Sequence, residues 1–80
     1  MTEQKIQKKR IDQLEAEGYY VIKLIKTNKN GIPDLIAIPP NTPVLFSEVK
    51  TKTGRTSKLQ DYRLKELERY GFNVEVYNGD

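Results

Sequence analysis

The stretch Gly31–Lys50, GIPDLIAIPPNTPVLFSEVK, restricts the fold of this chain more than any other. Two apolar runs, Asp34–Ile38 and Val44–Lys50, flank Pro39-Pro40-Asn41-Thr42-Pro43. Prolines fix φ, donate no amide hydrogen and break a ladder, so this segment is a turn and the runs pair as an antiparallel hairpin. Folding symmetrically about Asn41 sets Asp34 opposite Glu48, Ile36 opposite Phe46 and Ile38 opposite Val44. Side chains alternate along a strand, which puts Lys50 on the same face as Glu48. Opposed residues have Cβ atoms ~5 Å apart, and like charges at that distance destabilise a hairpin. Two carboxylates and a lysine at the open end of an apolar hairpin therefore call for a cation, and a divalent metal is expected there.

Composition removes most other chemistries. The chain contains neither cysteine nor histidine. Disulfides, thiolate zinc sites, cysteine nucleophiles, Ser-His-Asp triads and histidine-metal nucleases are thereby excluded. Catalysis must rest on carboxylates, lysine, backbone or a hard metal. Lys and Arg number 14 against 11 Asp and Glu, a net charge of +3, which permits contact with nucleic acid without requiring it. No apolar run approaches the ~20 residues of a membrane span, and the amino-terminal MTEQKIQKKR lacks the apolar core of a signal peptide. With no cysteine and no leader, a cytoplasmic location is expected. At 80 residues, one domain over residues 1–80 is expected, with modest stability that dimerisation would raise.

Residues 2–17 read as a helix capped by Thr2 and stopped by Gly18. At ~100° per residue, Ile6, Ile11 and Leu14 form one stripe, and Glu3 falls inside it. Either Glu3 belongs to a solvated helix end or it reaches a site. Tyr19–Lys26 is aromatic and β-branched and reads as a strand. Pro33 forbids helix just before Asp34. The hairpin carries apolar residues on both faces, so it should lie at the centre of a sheet covered on both sides. After a loop over 51–56, Ser57 and Gln60 form an S-x-x-Q capping box at the start of a second helix. Gln60 also lies on that helix's apolar side, so it either caps alone or does more. Gly71 ends the helix, and Phe72–Tyr77 alternates as an edge strand. The order is αβββαβ, an α/β fold with a mixed sheet flanked by helices.

Polar groups are set against apolar surface at Glu3, Asp34, Glu48, Lys50 and Gln60. Buried carboxylates are unfavourable unless paired or metal-bound. Mg²⁺ or Mn²⁺ takes oxygen ligands, here Asp34, Glu48, the Val49 carbonyl and Glu3 to complete the shell. Such a metal lowers the pKa of bound water and neutralises phosphoryl charge, while Lys50 supplies a point-charge donor. The amides of residues 57–59 at a helix N-terminus offer a phosphate site, and Lys26, Lys29, Lys52 and Arg55 offer contacts to flanking phosphates.

The series Pro33-Asp34, Glu48-Val49-Lys50 resembles the PD-(D/E)XK nuclease signature. With Glu3, Gly18-Tyr19, Gly31, Leu35, Thr51, Gly54, Ser57 and Gln60, the pattern resembles the virus-type replication–repair nuclease (VRR-NUC) domain from Glu3 to about Tyr77. The resemblance implies a restriction-endonuclease-like αβββαβ core and metal-dependent cleavage of DNA phosphodiesters. It implies that Asp34, Glu48 and Lys50 carry catalysis, and that Glu3 and Gln60 support the metal or position substrate. Short stand-alone members, more often phage-encoded than cellular, resemble archaeal Holliday junction resolvases, which act as homodimers on branched DNA. The short Thr27–Asn30 and Pro39–Pro43 loops leave little protein to grip DNA, which also favours a dimer. Two other readings stay open: a non-catalytic DNA-binding or assembly module on the same fold, and a structural hairpin in which Lys50 merely neutralises an acid.

Overall fold

The computed structural model describes residues 1–40 and 43–79. The elements are α1 (Glu3–Ala16), β1 (Tyr20–Lys23), β2 (Leu35–Ile38), β3 (Leu45–Thr51), α2 (Lys58–Arg69) and β4 (Asn73–Gly79), the expected αβββαβ order. The strands form one sheet in the order β1-β2-β3-β4, with β1/β2 and β2/β3 antiparallel and β3/β4 parallel. The hairpin is thus central and β4 is an edge, as the residue pattern predicts. Its register is the symmetric one: Leu35 pairs with Ser47, Ile36 with Phe46 and Ala37 with Leu45. Asn41 and Thr42, at the middle of the expected turn, lie outside the described residues.

Strand alternation sorts the core into two layers. Leu35, Ala37, Ser47 and Val49 point to one face and are fully buried beneath α1, whose Ile6 packs on Leu35 and Val49. Ile36, Phe46 and Glu48 point to the other face, with α2 packed toward the β4 side. There Phe46 meets Phe72 edge-on at 5.4 Å. Coverage of this second face is incomplete, which departs from expectation. Tyr20, Ile22 and Ile38, at its β1 end, stay exposed. α2 packs on the β4 side, and a single helix, about 10 Å wide, covers only about two strands spaced about 4.8 Å apart.

Two element lengths also differ. Tyr19–Lys26 was expected to be one strand, but only Tyr20–Lys23 pairs, because its partner β2 has four residues and begins just after Pro33-Asp34. β4 runs on to Gly79 because β3 continues to Thr51 and pairs with it throughout. One polar tie crosses the α1 layer. Arg10 donates to both carboxylate oxygens of Glu75 (3.1 and 2.8 Å) and lies 4.5 Å over the Tyr77 ring. Ser47 Oγ donates to the same carboxylate at 2.7 Å. This clamps α1 to β4 and satisfies a serine that is wholly buried in a strand.

Candidate active site

The pairing of β2 with β3 ends at Leu35–Ser47, so the next residues outward, Asp34 and Glu48, stand beyond the last rung. A longer β2 would accept the Val49 N–H; here Asp34 Oδ2 accepts it, at 2.8 Å. The Asp34 carbonyl accepts from Leu24 N–H at 2.7 Å. Asp34 is therefore fixed through backbone and side chain, with one carboxylate oxygen used and the other available. In a strand the N–H and C=O of one residue leave on the same side, so the Val49 carbonyl also faces the Asp34 side.

Glu48 is 2% exposed. Its Oε2 accepts from Gln60 Nε2 at 3.2 Å and lies 3.7 Å from Lys50 Nζ. Its Oε1 is buried with no hydrogen-bond partner among the described residues. Burial pushes the Glu48 carboxyl up to about 8; the nearby charges of Asp34 and, more weakly, Glu3 act in the same direction, and Lys50 opposes them. An acid in this state holds a proton that a cation would displace.

The first turns of both helices meet this end of the sheet. In α2 the capping box is complete: Ser57 Oγ accepts from Gln60 N–H at 3.1 Å, and Gln60 Oε1 accepts from Ser57 N–H at 2.9 Å. Gln60 thus caps the helix with its carbonyl and reaches Glu48 with its amide nitrogen, which unites the two readings of this residue. The expected free amide at Ser57 is not free, because Gln60 takes it. α2 also positions the loop that leads to Asp34. Arg63 Nε donates to Asn30 O at 2.9 Å, and Leu59 lies so close to Gly31 that a Cβ there would sit 2.8 Å from Leu59 Cγ.

In α1, Glu3 is exposed, and no group of three acidic side chains among the described residues is arranged to hold a metal. The expected third carboxylate ligand does not stand beside Asp34 and Glu48; Glu3 sits at the first turn, near enough to act on Glu48 through its charge. Gln7, one turn further on, is buried, and its Oε1 has no partner among the described residues. Sequence reading passed over Gln7, although it lies inside the Ile6–Leu14 stripe by the angular criterion that singled out Glu3.

Around the acids, Lys26, Lys29, Lys52 and Arg55 are exposed and, among the described residues, form no ion pair. Lys26 and Lys29 belong to the β1–β2 connection, where a hollow of about 300 Å³ runs from Lys29 and Thr27 to Pro33 and Asp34. Lys52 and Arg55 follow β3, just past Lys50. The donor set fits a hard cation: it is all oxygen, one acid keeps a buried oxygen without a partner, and Mg²⁺ commonly takes one or two carboxylates with waters and substrate phosphate.

The model of the VRR-NUC domain family matches residues 2–80. The chain belongs to the VRR-NUC family. A solved structure described as a VRR_NUC domain superposes with a TM-score of 0.84 at 31% identity, covering 96% of this chain and 84% of that one. No curated protein matches this sequence. The mixed sheet with two helices is therefore the VRR-NUC fold, and this VRR-NUC domain is of nuclease type, with DNA as the implied substrate. No described helix is long and apolar enough to cross a membrane.

Proposed function

We propose that this VRR-NUC domain is a Mg²⁺- or Mn²⁺-dependent endonuclease that hydrolyses phosphodiester bonds in branched DNA as a homodimer. The observation that carries the metal dependence is the unpartnered, buried Glu48 Oε1 beside Asp34. Asp34, Glu48 and the Val49 carbonyl would hold the ion, and the exposed Glu3 would act on its waters. Once bound, the ion supplies charge neutralisation at the phosphate and a more acidic water. Asp34 contributes a carboxylate already oriented by Val49 N–H. Gln60 turns Glu48 so that Oε2 is engaged and Oε1 is left for the ligand. Lys50, held 3.7 Å from Glu48, donates to the non-bridging oxygens as negative charge builds on them. Water attacks phosphorus, the bond to the leaving oxygen breaks, that oxygen takes a proton from solvent water, and the proton released by the attacking water has Glu3 as its solvent-facing acceptor. Lys26, Lys29, Lys52 and Arg55, with the amides of Lys58 and Leu59, bind flanking phosphates on either side of the acids.

Residues 1–80 act as one domain in this reading, in the cytoplasm. A second copy is supported by the exposed apolar side chains of Tyr20, Ile22 and Ile38 beside the edge strand β1. A two-fold pair would present two acidic sites, suited to cutting two strands of one junction. The test is a panel of labelled four-way junction, flap and linear duplex incubated with Mg²⁺ or Mn²⁺. The expected result is metal-dependent cleavage with the junction preferred, lost in Glu48→Gln with DNA binding kept. No cleavage of any substrate by folded protein would refute the enzymatic reading, and a monomer by light scattering would refute the dimer.

A further inference from the structure

We infer that Ser57 is a positioning residue for the acidic site, acting through Gln60; this rests on the metal-dependent reading of that site. A glutamine side chain is two-ended: its oxygen only accepts and its nitrogen only donates. Its last torsion is soft, so packing alone does not decide which end faces a neighbour. At Gln60 the choice matters, because the neighbour is a carboxylate. The nitrogen end attracts Glu48 and the oxygen end repels it.

Ser57 decides the choice. Its N–H can only donate, and it donates to Gln60 Oε1 at 2.9 Å. That pins the oxygen at the helix start and leaves Nε2 to meet Glu48 Oε2 at 3.2 Å. Ser57 Oγ accepts the Gln60 N–H at 3.1 Å, which holds the two residues in the register this exchange needs. Glu48 Oε2 is then occupied by Gln60 and Lys50, and Oε1 remains the oxygen without a partner. Ser57 itself is exposed and contributes nothing to the core. Its contribution is the orientation of an amide two links away from the acid it serves. The N-terminal amide that sequence reading assigned to phosphate is thus an internal tie.

Calorimetric titration with Mn²⁺ tests this, with the fold of each variant checked by circular dichroism. Losing a side chain that orients a metal ligand weakens metal affinity ~10–100-fold. Ser57→Ala, which removes the hydroxyl tie, is expected to bind Mn²⁺ ~10-fold more weakly, and Ser57→Thr to restore binding. Ser57→Pro removes hydroxyl and N–H together; its ring suits the N-cap φ of −77°, and it is expected to lose more than Ser57→Ala. Thr56→Ala is the control. Thr56 Oγ1 bonds Asp61 at the same helix start without touching Gln60, so its loss should leave Mn²⁺ affinity unchanged. On a Gln60→Ala background, Ser57→Ala should add no further loss. Parent-like Mn²⁺ binding by both Ser57→Ala and Ser57→Pro would overturn the inference and leave the metal-dependent reading standing. So would an undiminished Ser57→Ala effect on the Gln60→Ala background. Failure of the parent and Thr56→Ala alike to bind Mn²⁺ would overturn the metal-dependent reading, and this inference with it.

Discussion

Replacing Glu48 by glutamine in the metal-free protein isolates the effect of the buried acid on stability. In the folded chain Glu48 keeps its proton up to about pH 8, against an ordinary value of 4.5. Below 4.5 both folded and unfolded chains hold the proton, and this group adds no pH dependence. Between 4.5 and about 8 the unfolded chain releases it while the folded chain retains it, so the unfolded state binds fewer protons and stability falls as pH rises. The slope is ~1.4 kcal/mol per pH unit, and the interval sums to at most about 5 kcal/mol. Above about pH 8 the loss levels off. An 80-residue domain has roughly 4–12 kcal/mol in total, so the effect is a large share of it.

Glutamine at this position carries no charge at any pH, and its carbonyl can still accept from Gln60. Urea unfolding of both proteins in EDTA, followed by circular dichroism from about pH 4.5 to about pH 9, reads out the difference. Ionisable groups remote from Glu48 are shared and cancel, while Asp34, Lys50 and Glu3 feel its charge, so the difference curve reports the acidic site as a unit. Glu48→Gln should match the parent near the acid end, within about 1 kcal/mol, and exceed it by several kcal/mol near pH 9. Mn²⁺ at about 100 times its dissociation constant should return ~2.7 kcal/mol to the parent and nothing to the variant. A stability difference that is flat with pH, or a parent that gains on the variant toward pH 9, would refute the reasoning.

Lys50→Ala should lower cleavage by at least ~100-fold, as expected for loss of a charge-stabilising donor, while Mn²⁺ affinity stays the same or tightens because a nearby positive charge is gone; paired cleavage and calorimetry check both. Arg10→Ala should destabilise the fold by about 2 kcal/mol, roughly 8–16 °C in Tm, because it strips two hydrogen bonds from the half-buried Glu75 and the cation from the Tyr77 ring. Removing Glu75 together with Arg10 should recover part of that loss. Gly31→Ala should cost about 1–3 kcal/mol, since φ is +79° and the new Cβ meets Leu59 at 2.8 Å, whereas Gly18→Ala, with φ +93° and open space, should cost less. Thermal melts separate these, and Gly31→Ala should also weaken Mn²⁺ binding through the loop that carries Asp34.

The parts of this molecule that were legible in its sequence are those set by local rules. Prolines fixed where the hairpin turns, and the two-residue period of strands then fixed which residues oppose, down to Ile36 and Phe46. The capping box was legible because its two residues are three apart. What stayed hidden depends on partners distant in the chain. Nothing in Tyr19–Lys26 reveals that β2 offers only four residues to pair with. The clamp of Arg10, Glu75 and Ser47 joins residues up to 65 positions apart; the helical wheel puts Arg10 inside the apolar stripe, but nothing local names Glu75 and Ser47 as what it meets. Glu3 was legible as unusual, but the choice between a solvated helix end and a site residue stayed open, because a helical wheel gives direction and no depth. Gln7 fell inside the same stripe, and the test that singled out Gln60 in α2 would have found it in α1.

The acidic end of the sheet is where the fold accepts instability. Both helices begin there, and the start of a helix carries partial positive charge that favours nearby anions. α2 adds the donor Gln60, and β3 adds Lys50. These groups oppose the repulsion between Asp34 and Glu48 without removing it, and Glu3 in α1 strengthens it. A structural hairpin would have no reason to oppose two acids, because Lys50 alone would neutralise one and the second could be an amide. An ion-binding site would have one: Asp34 and Glu48 together carry the two negative charges that a divalent cation offsets, and Glu3, exposed in α1, adds to the field without standing beside them. The repulsion between Asp34 and Glu48 that disfavours the fold without an ion is the same charge that would hold a metal.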